Sequence, residues 1–444
     1  MKQIKYTIKQ LENYFEIVRR QTREILTPLE TEDYVIQTDF FMSPPRWHLG
    51  HVSWFFDQLL REHSGDYTPF KLDFGNYLNS YYRTFGEPFD KGKRGTVSRP
   101  TVAETIAYAD WIDERVKKFL RKESEKFSPE IFRLFMMGIN HEYQHQELLV
   151  YDVQHLLQDR YHPKVLTDAP VVNGIGTKDE MIRIPGGIFE LGYDEKWDQP
   201  FHYDIESPQH RVYLNDYLID RYPVTNGAYL EFIQAGGYRD FRYWLSDGWD
   251  VIQKNGWAAP LYWEREESGE WVKTDFRGRH PINQISDEPV VHISYYEAWA
   301  YTKWSGKRLP TEAEWEKAAA WDEKTGQKRI FAWGDDFPEK RHGNLFENRL
   351  WTPSRIGSYP EGKSYYGVEQ MIGDMWEWTV SEFMPYPGFK SGFAEYNDKW
   401  FGNQKVLRGG SFATSGHQTR NTYRNFFRCP ERWMIAGFRC AKDL

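Results

Sequence analysis

His141-Glu142-Tyr143-Gln144-His145-Gln146-Glu147 is the stretch on which the reading of this chain turns. Around it, Ile131, Leu134, Phe135, Ile139, Leu148 and Leu149 recur at helical spacing, and Ser128-Pro129-Glu130 supplies a helix start. On a helix, residues four apart lie only ~40° apart around the axis, so His141 and His145 project from one face and can share a metal ion. Two imidazoles leave such an ion short of protein ligands. Trp47-His48-Leu49-Gly50-His51 offers a third, but His48 and His51 are three apart and spacing does not choose between them. His63, His155 and His162 read as surface or outer residues.

Two rival readings attach to the same stretch. His141-Glu142-x-x-His145 matches the zinc-protease pattern, with Glu142 as the base. Alternatively, the histidines are only hydrogen-bonded in a polar bundle core. The candidate third ligand lies upstream, Gln144 sits beside the second histidine, and the C-terminal half carries no protease-like companion motif. These features point away from both.

Working outward, residues 1–165 read as helical. Ile8, Leu11, Phe15, Val18, Ile25 and Leu26 follow helical spacing. Ser43-Pro44-Pro45 opens a second helix with Ser43 as its N-cap, and Thr101-Val102-Ala103-Glu104 opens a third with a capping box. Four helices imply a bundle, whose facing helices are a usual place for metal sites. Residues 68–100 interrupt the pattern with Asn76-Tyr77-Leu78-Asn79-Ser80-Tyr81-Tyr82 and the basic Lys91-Gly92-Lys93-Arg94-Gly95; long loops in compact domains tend to be functional. After about residue 165 the composition shifts. A linker over 166–180, including Val171-Val172-Asn173-Gly174-Ile175-Gly176, leads into a Gly-, Trp- and Tyr-rich domain of short elements over 181–444. Ser294 to Ser305 and the segment after Pro310-Thr311 are its two clear helices. The fold class expected is multidomain, α followed by irregular α+β.

The bulk numbers narrow the class of function. The formal net charge of −8 over 444 residues gives no reason to expect nucleic acid or an anionic membrane as partner. Cys429 and Cys440 are too few for a disulfide framework and suit a reducing cytoplasm. The N-terminus shows no apolar signal core, and no run approaches the ~18 apolar residues of a membrane span. A cytoplasmic protein is expected. Aromatics make up 17% of the chain, with 19 Trp, which suggests a loop-rich domain packed around rings.

Taken together, Trp47-His48-Leu49-Gly50-His51, Asn79-Ser80-Tyr81-Tyr82 and His141 to Glu147 resemble the DinB-like domain of the ergothioneine-biosynthetic sulfoxide synthases. The second half resembles the formylglycine-generating-enzyme (sulfatase-modifying factor) fold, which is C-type-lectin-like. The segments that carry this are Met181-Ile182-Arg183-Ile184-Pro185-Gly186-Gly187, Tyr222-Pro223-Val224-Thr225-Asn226, Arg308-Leu309-Pro310-Thr311-Glu312-Ala313-Glu314-Trp315-Glu316, Gly373-Asp374-Met375-Trp376-Glu377-Trp378-Thr379, Leu407-Arg408-Gly409-Gly410-Ser411-Phe412 and Ala436-Gly437-Phe438-Arg439. Formylglycine-generating enzymes carry a copper-binding cysteine pair upstream of the final Gly-Phe-Arg. Thr419 to Phe427 contains no cysteine, so formylglycine formation is not expected. Asp374 stands where the calcium-associated motif has asparagine, which leaves calcium open.

The resemblance implies a mononuclear non-haem iron(II) enzyme that uses O2. It would join a thiol sulfur to carbon 2 of the imidazole of Nα-trimethylhistidine (hercynine) and oxidise the sulfur to a sulfoxide. By family correspondence the third ligand is His51, giving His51, His141 and His145. With no carboxylate ligand the ion keeps its full positive charge, which favours binding of a thiolate and a substrate imidazole. The Asn-Ser-Tyr-Tyr motif implies Tyr81 as main catalytic phenol with Tyr82 assisting, and cysteine rather than γ-glutamylcysteine as thiol donor. Tyr386, where another branch draws its tyrosine, ranks behind them. Gln144 would orient the trimethylhistidine imidazole and Asn425 would hold its amino-acid end. Phe426 and Phe427, by themselves a core-like pair, would wall the pocket and face the trimethylammonium. Arg94 would grip the carboxylate of the thiol substrate, and the substrates would meet between the two domains. The competing readings are an ovothiol- or selenoneine-type synthase, a zinc hydrolase, and a non-catalytic ligand-binding module.

Overall fold

The computed structural model describes residues 6–71, 73–122, 128–158, 174 and 180–444. The chain divides into two compact units, Met1–Tyr161 with Gln199–Phe201, and His162–Asp198 with His202–Leu444. Apart from Gly174 and Glu180, the expected linker over 166–180 lies outside the described residues, as does His162.

Four long helices build the first unit: α1 (Ile8–Leu26), α2 (Pro45–His63), α3 (Val102–Lys122) and α4 (Pro129–Leu157). Their starts follow local chemistry. Thr7 and Gln10 form a capping box at α1, and Ser128 accepts the Ile131 N–H at the head of α4. At α3, Thr101 Oγ1 accepts from the Glu104 N–H at 3.1 Å while Glu104 accepts from the Thr101 N–H at 2.7 Å. Ser43 does not cap α2 as expected. Pro44 occupies the N-cap with no side-chain bond, and Ser43 Oγ instead accepts from Arg94 at 2.9 Å. Leu11, Phe15, Val18 and Ile25 of α1 are buried against α4 and its neighbours, and Phe15 meets Phe56 of α2 edge-on at 5.0 Å. The connection between α2 and α3 packs tightly on α2 at Gly50, where a Cβ would stand 2.6 Å from Leu78 Cδ2.

The second unit is built of short elements. Strands β1 (Met181–Ile184), β4 (Tyr217–Asp220) and β14 (Ala441–Asp443) form one sheet, in the order β1-β4-β14. A four-stranded sheet runs β12 (Asn425–Phe427), β11 (Lys405–Arg408), β10 (Trp376–Glu382), β13 (Ala436–Gly437). Two further hairpin sheets and a three-stranded meander complete the strands. The two helices anticipated are present, as α7 (Tyr295–Trp304) and α8 (Glu312–Ala320), each with a capping box. Two more, α5 (Asn226–Gln234) and α6 (Ser246–Asn255), were not anticipated. Ile184, Phe189, Ile219, Trp315, Met371 and Tyr386 belong to one apolar core. Among the described residues no helix is long and apolar enough to cross a membrane.

Buried arginine–carboxylate pairs hold this irregular unit together. Arg439 is fully buried and donates to both oxygens of Glu377 at 2.7 Å. Its remaining N–H groups reach the carbonyls of Asp220, Arg221, Glu369 and Gln370 at 3.0–3.1 Å. One guanidinium thereby ties β4, β10 and the 369–370 segment together. Truncation strands a buried carboxylate, so Arg439→Ala should destabilise the protein by about 3–5 kcal/mol. An unchanged denaturation midpoint for that variant would contradict this account.

Candidate metal centre

His51 of α2 and His141 and His145 of α4 meet inside the first unit, with relative exposures of 0%, 2% and 9%. One ligating nitrogen of each lies within 4.8 Å of the others. The Nε2 atoms of His51 and His141 are 3.1 Å apart. His51 Nδ1–H donates to the Leu78 carbonyl at 2.6 Å, which leaves the lone pair on Nε2, the side that faces His141. Burial lowers the pKa of all three imidazoles, that of His141 to about 3. Three neutral, buried nitrogen donors on two rigid helices fit a first-row divalent metal ion.

His48 is set apart from this cluster. Its Nε2 lies 2.9 Å from Asp152 Oδ2 and its Nδ1 lies 3.0 Å from His145 Nδ1, so both nitrogens are engaged. Neighbouring rings enclose the rest. Trp47 stacks on His51 at 4.5 Å, Trp54 lies on the other side at 6.0 Å, and Phe55 sits 4.9 Å from His141.

Glu142 is directed elsewhere. Successive helix residues are ~100° apart, and this step turns Glu142 from the metal face toward α1. There it pairs with Arg19 at 3.1 Å and accepts from Thr22 Oγ1 at 2.6 Å. Arg19 in turn bonds Asp113 at 2.6 Å and Ser53 at 2.9 Å. A carboxylate locked in that network is not available as the base of a zinc protease, so the His-Glu-x-x-His pattern here lacks its hydrolytic element.

The 73–100 connection approaches the same region. Asn79 closes a turn on Tyr82, donating to its carbonyl at 2.8 Å and accepting its N–H at 3.0 Å. The rings of Tyr81 and Tyr82 are 4.5 Å apart, and Tyr82 packs 6.1 Å from Trp54 and 6.4 Å from Phe55. Burial pushes the Tyr81 phenol up to about 12. Arg94 is 3% exposed, with its guanidinium 3.5 Å over Trp47 on an indole that also stacks on His51. It donates to Ser43 Oγ at 2.9 Å and Ser80 Oγ at 3.4 Å, but its Nε has no partner and no carboxylate pairs with it among the described residues. That unbalanced burial drops its pKa to about 9.

Gln144 is half-buried on α4 between the two ligand candidates. Asn425, Phe426 and Phe427 form β12 in the second unit and are each half-buried; Phe426 stacks on Phe383 at 4.0 Å and Phe427 meets Trp433 at 5.8 Å. Tyr386 is buried, its hydroxyl 3.4 Å from Glu312 and its ring 4.1 Å from the Arg424 guanidinium, inside that unit's core. Asp374 accepts from Asn344, Gln370 and both the N–H and Oγ of Ser354 at 2.7–2.8 Å. Four donors thus hydrogen-bond this carboxylate.

Sequence reasoning passed over Asp152, Trp47 and the Leu78 carbonyl. The first two carried a signal: Asp152 is two helical turns from His145, and Trp47 is one turn from His51.

Two family models match the chain, the DinB superfamily over residues 14–149 and the sulfatase-modifying factor enzyme 1-like domain over residues 168–444. A protein of Mycobacterium tuberculosis named hercynine oxygenase is 40% identical over 70% of this chain and 72% of its own length. A second of that name, from Mycolicibacterium smegmatis, is 35% identical over 91% of this chain and 92% of its own length. The formylglycine-generating enzyme of Mycobacterium tuberculosis is 32% identical over 47% of this chain and 75% of its own length.

Glu142→Gln should leave metal affinity near wild type while weakening the fold by about 1–3 kcal/mol, since only the bond network to Arg19 and Thr22 is altered. Loss of metal-dependent activity with an unchanged melting temperature would reverse this assignment.

Proposed function

We propose, from the premise that the chain belongs to the hercynine oxygenase family of ergothioneine-biosynthetic sulfoxide synthases, that it joins the thiol sulfur of cysteine to carbon 2 of the imidazole of Nα-trimethylhistidine and oxidises that sulfur to the sulfoxide, with O2 as oxidant. Membership makes the chain an oxidoreductase with small-molecule substrates. γ-Glutamylcysteine is the second candidate donor. The observation that carries the reading is the buried cluster of three neutral imidazoles, which includes no carboxylate among its donors. His51, His141 and His145 would hold ferrous iron, which when bound supplies the redox chemistry for O2 and a positive charge that attracts thiolate.

The chain's own residues would do the rest. Tyr81 is assigned the proton donor for oxygen reduction; a phenol raised to about 12 keeps its proton until a strong base develops beside it. Tyr82, with its ring 4.5 Å away, holds Tyr81 in place. Arg94 is a buried cation without a carboxylate partner, and the carboxylate of the thiol substrate would complete it through the guanidinium fork. Gln144 would bond the substrate imidazole and fix its rotation. Asn425 would donate to the carboxylate of trimethylhistidine. Phe426 and Phe427 would offer ring faces to a trimethylammonium that has no N–H to donate.

The decisive experiment incubates the iron-loaded protein in air with trimethylhistidine and either thiol, and weighs the products. A sulfoxide conjugate is expected, and no conjugate with either thiol would overturn the proposal. Tyr81→Phe should slow sulfoxide formation by ~100-fold or more while iron occupancy stays at wild type. Full output from that variant would remove Tyr81 from the role. Arg94→Ala should raise the KM for the thiol substrate by ~10- to 100-fold and leave that for trimethylhistidine nearly unchanged. Equal changes in both constants would count against a carboxylate clamp.

A further inference from the structure

Asp152 and His48 lie outside the imidazole cluster but join it through a continuous run of hydrogen bonds. Asp152 Oδ2 accepts from the Ser43 N–H at 2.9 Å and lies 2.9 Å from His48 Nε2. His48 Nδ1 lies 3.0 Å from His145 Nδ1. All three side chains are buried, at 5%, 3% and 9% relative exposure.

The carboxylate end dictates where the protons sit. A carboxylate only accepts, so His48 carries its proton on Nε2. A neutral His48 then presents a lone pair at Nδ1, which accepts the proton on His145 Nδ1. His145 is left with its lone pair on Nε2, the nitrogen free to ligate. His51 reaches the same end by a weaker device, donating Nδ1–H to the neutral Leu78 carbonyl.

We propose that Asp152 and His48 are positioning residues that fix the tautomer and ring plane of His145 and raise its strength as a ligand. The proposal rests on the metal reading above and extends it beyond the three ligands. It gives a centre without a carboxylate ligand the influence of a carboxylate, delivered through one intervening imidazole. Outer partners of this kind orient metal-bound histidines and make them more basic. A purely structural role explains the arrangement less well. Asp152 Oδ1 is buried without a partner among the described residues, a poor anchor for packing alone, and the second nitrogen of His48 is spent on a ligand candidate, His145. The placement is also periodic: Asp152 stands two turns beyond His145 on α4, so both face α2 and His48 fits between them.

The test is Fe(II) affinity of the full-length protein, measured anaerobically by chelator competition, beside the melting temperature of the metal-free form. Asp152→Asn keeps the shape and an acceptor oxygen but removes the charge. It should weaken Fe(II) binding by ~10- to 100-fold with little change in metal-free melting. His48→Leu should weaken it at least as much, and His48→Gln, which retains one acceptor and one donor, should recover most of the loss. Wild-type affinity in Asp152→Asn would overturn the relay. So would equal weakening in His48→Leu and His48→Gln, or affinity losses that merely track a less stable metal-free fold. A wild-type chain that binds no Fe(II) would overturn the metal centre and the relay with it.

Discussion

The first unit is organised around one electrostatic constraint: three imidazoles must be buried together and remain uncharged. Moving a charged group out of water is costly, whereas a neutral imidazole can be buried if its N–H finds an acceptor. The surroundings of the cluster answer that requirement for His51 and His145. The Leu78 carbonyl accepts a hydrogen bond from the His51 Nδ1–H, and the side chain of His48 stands opposite His145 Nδ1. Indole and phenyl rings lie against the imidazoles, at 4.5 Å for Trp47 and 6.0 Å for Trp54 from His51 and 4.9 Å for Phe55 from His141.

Buried arginines are compensated differently in the two units. In the second unit Arg408, Arg420, Arg424 and Arg439 are each buried and each paired with a glutamate, respectively Glu316, Glu206, Glu312 and Glu377. Such pairs join elements that are too short to stabilise one another by packing alone. Near the imidazoles the pattern changes. Arg46 directs its guanidinium to the carbonyls of Val97 and Pro100 at 2.7 Å, and among the described residues Arg94 has two hydroxyls and the face of Trp47. A guanidinium buried with so little compensation has unspent capacity for an anion, and the indole beneath it touches a ligand candidate.

Much of the first unit was legible because its signals are local. Helical spacing, the Thr101–Glu104 box and the Ser128 cap each act within one turn, and tertiary contacts did not override them. The choice between His48 and His51 was not legible from spacing. Both point from α2 toward α4, and they are separated only by their partners: the Leu78 carbonyl from a distant connection, and Asp152 seven residues past His145. Ser43 failed as a cap for a related reason, because Arg94, 51 positions away, engages its hydroxyl. In the second unit α6, which the sequence reading did not anticipate, contains Gly248. A Cβ there would stand 2.8 Å from Tyr296, so glycine permits close packing against α7 rather than ending the helix.

His-Glu-x-x-His illustrates how far a motif determines chemistry. Spacing guarantees that His141 and His145 share a face, and His51 of α2 approaches that face. The glutamate between them is guaranteed nothing beyond a different azimuth on the same helix. What lies at that azimuth decides its role. Here it is α1, bearing Arg19 and Thr22, and they hold Glu142 with bonds of 2.6–3.2 Å. A hydrolase needs that carboxylate beside the metal-bound water. A bundle that closes α1 over it has placed the acidic residue in its frame, and the carboxylate that hydrogen bonds do link to the cluster is Asp152, one imidazole removed.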